Sequence, residues 1–110
     1  MGSRIKPVEK SLQNLIHKEI KMAKLLVHHK VQDYSAWRKG FDDHDKTRKE
    51  FGSTGFQVFR SASDPNDLTV IMDWSSVDKA KAFATSDSLK EAMKNAGVIS
   101  QPEVTFLVEA

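Results

Sequence analysis

Apolar and polar residues alternate from Ala23 to Val31. Leu25, Val27, His29 and Val31 fall on one face and Lys24, Leu26, His28 and Lys30 on the other, the period of a strand. The first face is the candidate for burial. Asp33 then offers an N-cap, and Tyr34, Trp37, Phe41, His44, Arg48 and Phe51 follow at three- and four-residue steps, one stripe of a single helix that ends at Gly52. Gly55 to Arg60 and Leu68 to Trp74 read as two strands joined across Asp64-Pro65-Asn66-Asp67, a sequence suited to a type I turn. Ser75 with Asp78 reads as a capping box for a helix whose apolar face is Val77, Ala80, Phe83 and Ala84. After a break at Thr85 and Ser86, a short helix from Asp87 to Asn95 turns Leu89, Ala92, Met93 and Ala96 inward and is stopped by Gly97. Val104 to Glu109 is the last strand.

The order strand, helix, strand, strand, two short helices, strand predicts an α+β fold, a ferredoxin-like split β-α-β with parallel central strands implied. Its four strands form an antiparallel sheet with all helices on one face. Both alternating sets of the later strands carry apolar groups: Leu68, Val70, Met72 and Trp74 against Ile71, and Val104, Phe106 and Val108 against Leu107. A sheet apolar on two faces needs a second layer, which predicts a homodimer packed through the sheet face.

Residues 1–21 follow a different pattern. Val8, Leu12, Leu15, Ile16 and Ile20 recur at helical spacing, so this segment reads as an N-terminal helical extension. Met1-Gly2-Ser3 looks like an expression remnant and Met22 like a start, so the extension is read as added or upstream sequence ahead of the alternative, a native helix docked on its own domain or a neighbouring subunit, with the domain at 22–110.

Composition narrows the function classes. A chain of 110 residues is one domain, and the absence of cysteine excludes disulfides, thiolate metal sites and cysteine nucleophiles. A net charge of +2, with both signs mixed along the helices, argues against nucleic acid as a partner. No apolar run reaches the roughly 20 residues of a membrane span and no signal peptide is visible, which predicts a cytoplasmic protein with no membrane partner.

The runs LLVHHKVQDYSAWRKGFDDHDKTRKEFGSTGFQVFRSASDPNDLTVIMDW and KAKAFATSDSLKEAMKNAGVISQPEVTFL resemble the dimeric α+β barrel superfamily. Within it they are most similar to small stand-alone proteins near the antibiotic biosynthesis monooxygenases, often labelled cyclase-like. The resemblance covers Met22 to Ala110 and implies a pocket between sheet and helices, lined by aromatic groups. Cofactor-free members use such a pocket to hold an electron-rich polycyclic substrate that itself activates oxygen, so no cofactor is expected. Trp74 matches a tryptophan that family sequences often carry at the end of the third strand. Where many relatives, the haem-degrading ones included, place a histidine at the start of the second helical segment, this chain reads Ser86-Asp87-Ser88-Leu89.

His29 and His44 are the candidate catalytic residues. One lies on the apolar face of a central strand and the other on the helical stripe that crosses it, so both can line one cavity. A neutral imidazole there can serve as a general base toward a phenol or enol. Satisfied core histidines would show the same spacing. Trp37, Phe41, Trp74 and Phe106 are the candidate aromatic wall, with Tyr34 as a hydrogen-bond donor and Arg60 and Arg48 as partners for a carboxylate or enolate; the same residues also suit ordinary core and surface roles. No metal is expected. His28 faces away from His29, and Asp42 and Asp43 leave the helix on other sides than His44. The chain is thus expected to bind a small apolar or aromatic ligand, as a cofactor-free monooxygenase or cyclase. The alternatives are a non-catalytic binding or stress-related accessory module and, third, a haem-handling protein.

Overall fold

The computed structural model describes residues 22–110, so the helix expected over 1–21 lies outside the described residues. In chain order the elements are β1 (Ala23–Lys30), α1 (Tyr34–Asp43), α2 (Asp45–Phe51), β2 (Ser53–Arg60), β3 (Asp67–Trp74), α3 (Val77–Ala84), α4 (Asp87–Asn95) and β4 (Glu103–Val108). The sheet order is β2-β3-β1-β4, and every neighbouring pair is antiparallel. This corrects the expectation of parallel central strands. β1 and β3 pair antiparallel; β1 runs the same way as β2, from which β3 separates it, and β3 the same way as β4. The split unit therefore places the α1–α2 crossover over β3.

Alternation decides which face is covered. Leu25, Val27, His29, Leu68, Val70, Met72 and Trp74 are all buried on the face where the helices pack. Trp37, Ala80 and Phe83 close the core from the helix side. The outer face holds Leu26 and Ile71 half-buried among paired charges, Lys24 with Asp73 at 2.5 Å and His28 between Asp67 (2.5 Å) and Glu103 (3.4 Å). β4 lies at the edge and is exposed throughout, including Val104, Phe106, Leu107 and Val108.

Caps fix the helix ends. The Asp33 carboxylate accepts from the Ala36 N–H at 3.0 Å, and Gly52 ends α2 at φ 113°, a left-handed conformation that favours glycine. The expected single helix is two. His44 at φ −87°, ψ 0° interrupts it, its N–H shared between the Gly40 and Phe41 carbonyls at 3.1 and 3.2 Å. The expected capping box is also displaced by one residue. Ser76, not Ser75, caps α3, accepting from the Lys79 N–H at 3.2 Å, and the Ser75 hydroxyl is buried without a partner among the described residues.

Candidate functional site

Between sheet and helices lies a cavity of about 40 Å³. Its floor is Val27, His29, Val70 and Met72 from β1 and β3. Trp37, Phe41, His44, Arg48 and Phe83 form the walls, and Leu89, Ala92, Met93 and Ala96 of α4 and the loop after it form the roof. Gly40, His44, Ala92 and Ala96 also line an open surface groove of about 410 Å³ between α1 and α4, so these four residues are the partition between interior and surface. The helices meet closely there. A Cβ on Gly40 would stand 3.0 Å from the Ala96 Cβ.

His29 reaches the floor because β1 is central and its apolar face turns inward. It is 4% exposed, packs edge-on to Trp37 at 5.8 Å, and its Nδ1 has no partner among the described residues. Burial lowers its pKa below the ordinary 6.5, so the ring is neutral near neutral pH. His44 stands at the helix break. Its Nε2 lies 3.0 Å from the Ser88 Oγ at the start of α4, and its ring packs on Phe83. Burial, and then the Arg48 charge, lower its pKa as well. Two neutral imidazoles from separate elements thus border one apolar cavity.

Arg48 is the charged member of the lining. It is 2% exposed, its guanidinium lies 3.6 Å from the Phe41 ring centroid, Nη1 donates to the Phe41 carbonyl at 2.6 Å and Nη2 to Asp45 at 3.3 Å.

Of the other residues singled out in the sequence, Trp37 and Phe41 line the cavity, stacked at 4.9 Å. Trp74, Tyr34, Arg60 and Phe106 are not among its lining residues. Trp74 is fully buried beneath Phe83, with its indole N–H unpartnered among the described residues. Arg60 is exposed, held over the Tyr34 ring and donating to the Pro65 carbonyl. Phe106 sits opposite Leu25 on β4, 37% exposed. Sequence reasoning did not assign to the site the strand residues Val27, Val70 and Met72, Phe83, Gly40, Ser88 or the roof of α4. The inward face of the apolar ones was visible in the spacing, but nothing in the spacing distinguished a cavity lining from core. Among the described residues no cluster of histidine and carboxylate side chains is arranged to hold a metal, and no helix is long and apolar enough to cross a membrane.

Comparison with protein-family profiles and with curated proteins finds no match. Solved structures do match. A protein from Bordetella bronchiseptica, provisionally described as an antibiotic biosynthesis monooxygenase, superposes with a TM-score of 0.70 at 21% identity, covering 82% of this chain and 98% of the other. SnoaB, a cofactor-independent oxygenase from Streptomyces nogalater, matches with a TM-score of 0.67 at 11% identity over 82% of this chain and 94% of its own. The chain has the fold of the antibiotic biosynthesis monooxygenase-like proteins. A third neighbour, from Caulobacter crescentus CB15 and described in the same provisional terms, covers 89% of this chain at a TM-score of 0.65 and 20% identity. At such identities the agreement concerns the path of the backbone, because one fold carries many chemistries.

Proposed function

We propose that this protein binds a small aromatic or polyketide-like molecule between sheet and helices and acts as a cofactor-free monooxygenase or cyclase, with His29 or His44 as the base. The observation that carries this reading is His29, a buried neutral imidazole with an unpartnered Nδ1 on the floor of an apolar, aromatic cavity. A buried polar atom without a partner is costly in a core, and a ligand hydroxyl would satisfy it. A base removing the proton of a phenol or enol would leave an electron-rich anion, the species able to react with oxygen unaided. The SnoaB likeness supports the absence of a cofactor in that chemistry.

One observation favours a second reading, a non-catalytic binding module. At about 40 Å³ the cavity has room for two or three water molecules, whereas ligand sites run to several hundred Å³. Binding a ring therefore requires α4 to shift outward, and α4 has no fully buried residue to resist it. A thermal-shift screen of polycyclic phenols such as 1-naphthol, with wild type beside His44→Ala, tests the pocket, and an oxygen electrode tests turnover. Stabilisation of the wild type, weakened in the variant, together with oxygen uptake supports the enzyme. Stabilisation without uptake supports the binding module, and no stabilisation by any phenol or by a ring carboxylate such as 1-naphthoate ends both.

We also propose a homodimer through the sheet. The half-buried Leu26 and Ile71, with exposed Phe59 and Leu107 on the same outer face, support it.

A further inference from the structure

We infer that the ligand of this cavity is an anion, a flat ring bearing a carboxylate or an enolate oxygen, and that Arg48 is the group that selects it. This rests on the reading of the cavity as a ligand site and names the class of ligand it takes.

The argument starts from charge. A guanidinium stays protonated even in a buried site, and burying it is costly unless the charge is balanced. Arg48 is buried, yet its balance is incomplete. Its carboxylate partner, Asp45, is shared. Asp45 lies 3.3 Å from Arg48 Nη2 and 3.0 Å from Lys49 Nζ, and the bond to Lys49 is the larger cause of its lowered pKa. Asp42, the other nearby acid, is engaged by the Arg38 Nε at 3.0 and 3.2 Å. Arg38, Arg48 and Lys49 against Asp42 and Asp45 leave three positive charges facing two negative ones, and Arg48 is the one buried on the cavity wall. The other titratable groups lining the cavity, His29 and His44, are both shifted toward neutrality and add no negative charge.

Hydrogen-bond capacity points the same way. Only the Phe41 carbonyl and Asp45 accept from Arg48 among the described residues, fewer acceptors than a guanidinium has N–H groups. The Phe41 ring 3.6 Å from the guanidinium and the bonds to the Phe41 carbonyl and Asp45 restrain the group, so an oxygen arriving beside it meets a positioned cation in an apolar setting. A neutral ring would fill the space and leave the charge uncompensated.

Titration of the full chain with 1-naphthoate and with its neutral counterpart 1-acetylnaphthalene, followed by tryptophan fluorescence and calorimetry, tests this. The expected result is binding of naphthoate about tenfold tighter than of the ketone, the difference an added charged hydrogen bond makes. Arg48→Gln should erase the preference. Because that variant removes a buried group and its folding is at risk, Asp45→Asn provides a second arm. Asp45 is partly exposed, and freeing Arg48 from it should tighten naphthoate binding severalfold while leaving the ketone unchanged. Equal binding of both compounds, unmoved by Asp45→Asn, overturns the anion inference and leaves the cavity a ligand site. Binding of neither overturns the cavity reading and this inference together.

Discussion

His29 is where chain stability and chemistry meet, since the same burial that makes it a candidate base makes folding depend on pH. Its folded pKa lies below the unfolded value of 6.5, so below that pH the unfolded chain takes up a proton that the folded chain refuses. Stability should be full above about pH 6.5 and decline as pH falls from there toward the folded pKa, with His44 acting in the same sense. His28 on the outer face acts oppositely. The bond to Asp67 raises its pKa, so its contribution is present below 6.5 and lost as pH rises through the folded value, but it is exposed enough for solvent to screen most of it. Urea midpoints from pH 5 to 8 should therefore rise with pH, and His29→Gln should flatten the curve. A flat wild-type curve would refute the buried neutral assignment. The two histidines were legible in the sequence because strand alternation and helical spacing each placed one on an apolar face. The burial of Arg48 was not, because an arginine among Lys46, Lys49 and three nearby aspartates has the composition of a solvated helix face. Only its place seven residues after Phe41, on the aromatic stripe, gave a signal.

The helices show a second limit of pattern reading. Ser75 and Ser76 both have what a cap needs, and Asp78 three residues after Ser75 favours the first, yet the hydroxyl that reaches a free N–H is that of Ser76. Ser76→Ala should cost about 1 kcal/mol, whereas Ser75→Ala, which removes a buried unpartnered hydroxyl, should stay within about 0.5 kcal/mol of wild type by chemical denaturation. The break at His44 is invisible for a related reason. The apolar stripe runs on through it in phase, and no proline or glycine marks the spot, so periodicity reports one helix where the backbone makes two. The approach of α1 to α4 rests on the missing side chain of Gly40. Gly40→Val should push against Ala96 and destabilise by about 1 to 3 kcal/mol. A melting temperature equal to wild type would show that α4 yields freely.

For the whole molecule, the sheet with one covered face and one partly apolar face was legible because a two-residue period assigns faces without ambiguity once the strands are known. The direction of the central pair was not, since pairing follows from the crossover path rather than from any local pattern. The proposed dimer predicts a mass of twice the monomer by sedimentation equilibrium at micromolar concentration and burial on the order of 1,600 Å² in total. A charge placed on the outer face by Leu26→Glu should give monomers that keep the far-ultraviolet signal. A wild-type chain that sediments as a monomer at those concentrations would remove the proposal.

The central place of β1 also bears on how the chain acquires its structure. Both partners of this strand are distant along the sequence: Ala23 pairs with Trp74, and His28 meets Glu103 across 75 residues. While the polypeptide is being made, Leu25, Val27 and His29 emerge among the first residues of the domain and wait for β3, and the far side of the strand waits for β4, the domain's fourth strand. Contacts of such separation are slow to form. The earliest structure on the ribosome should be the β2–β3 hairpin with its adjoining helices, and truncations ending before Glu103 should display an unpaired β1 edge to chaperones.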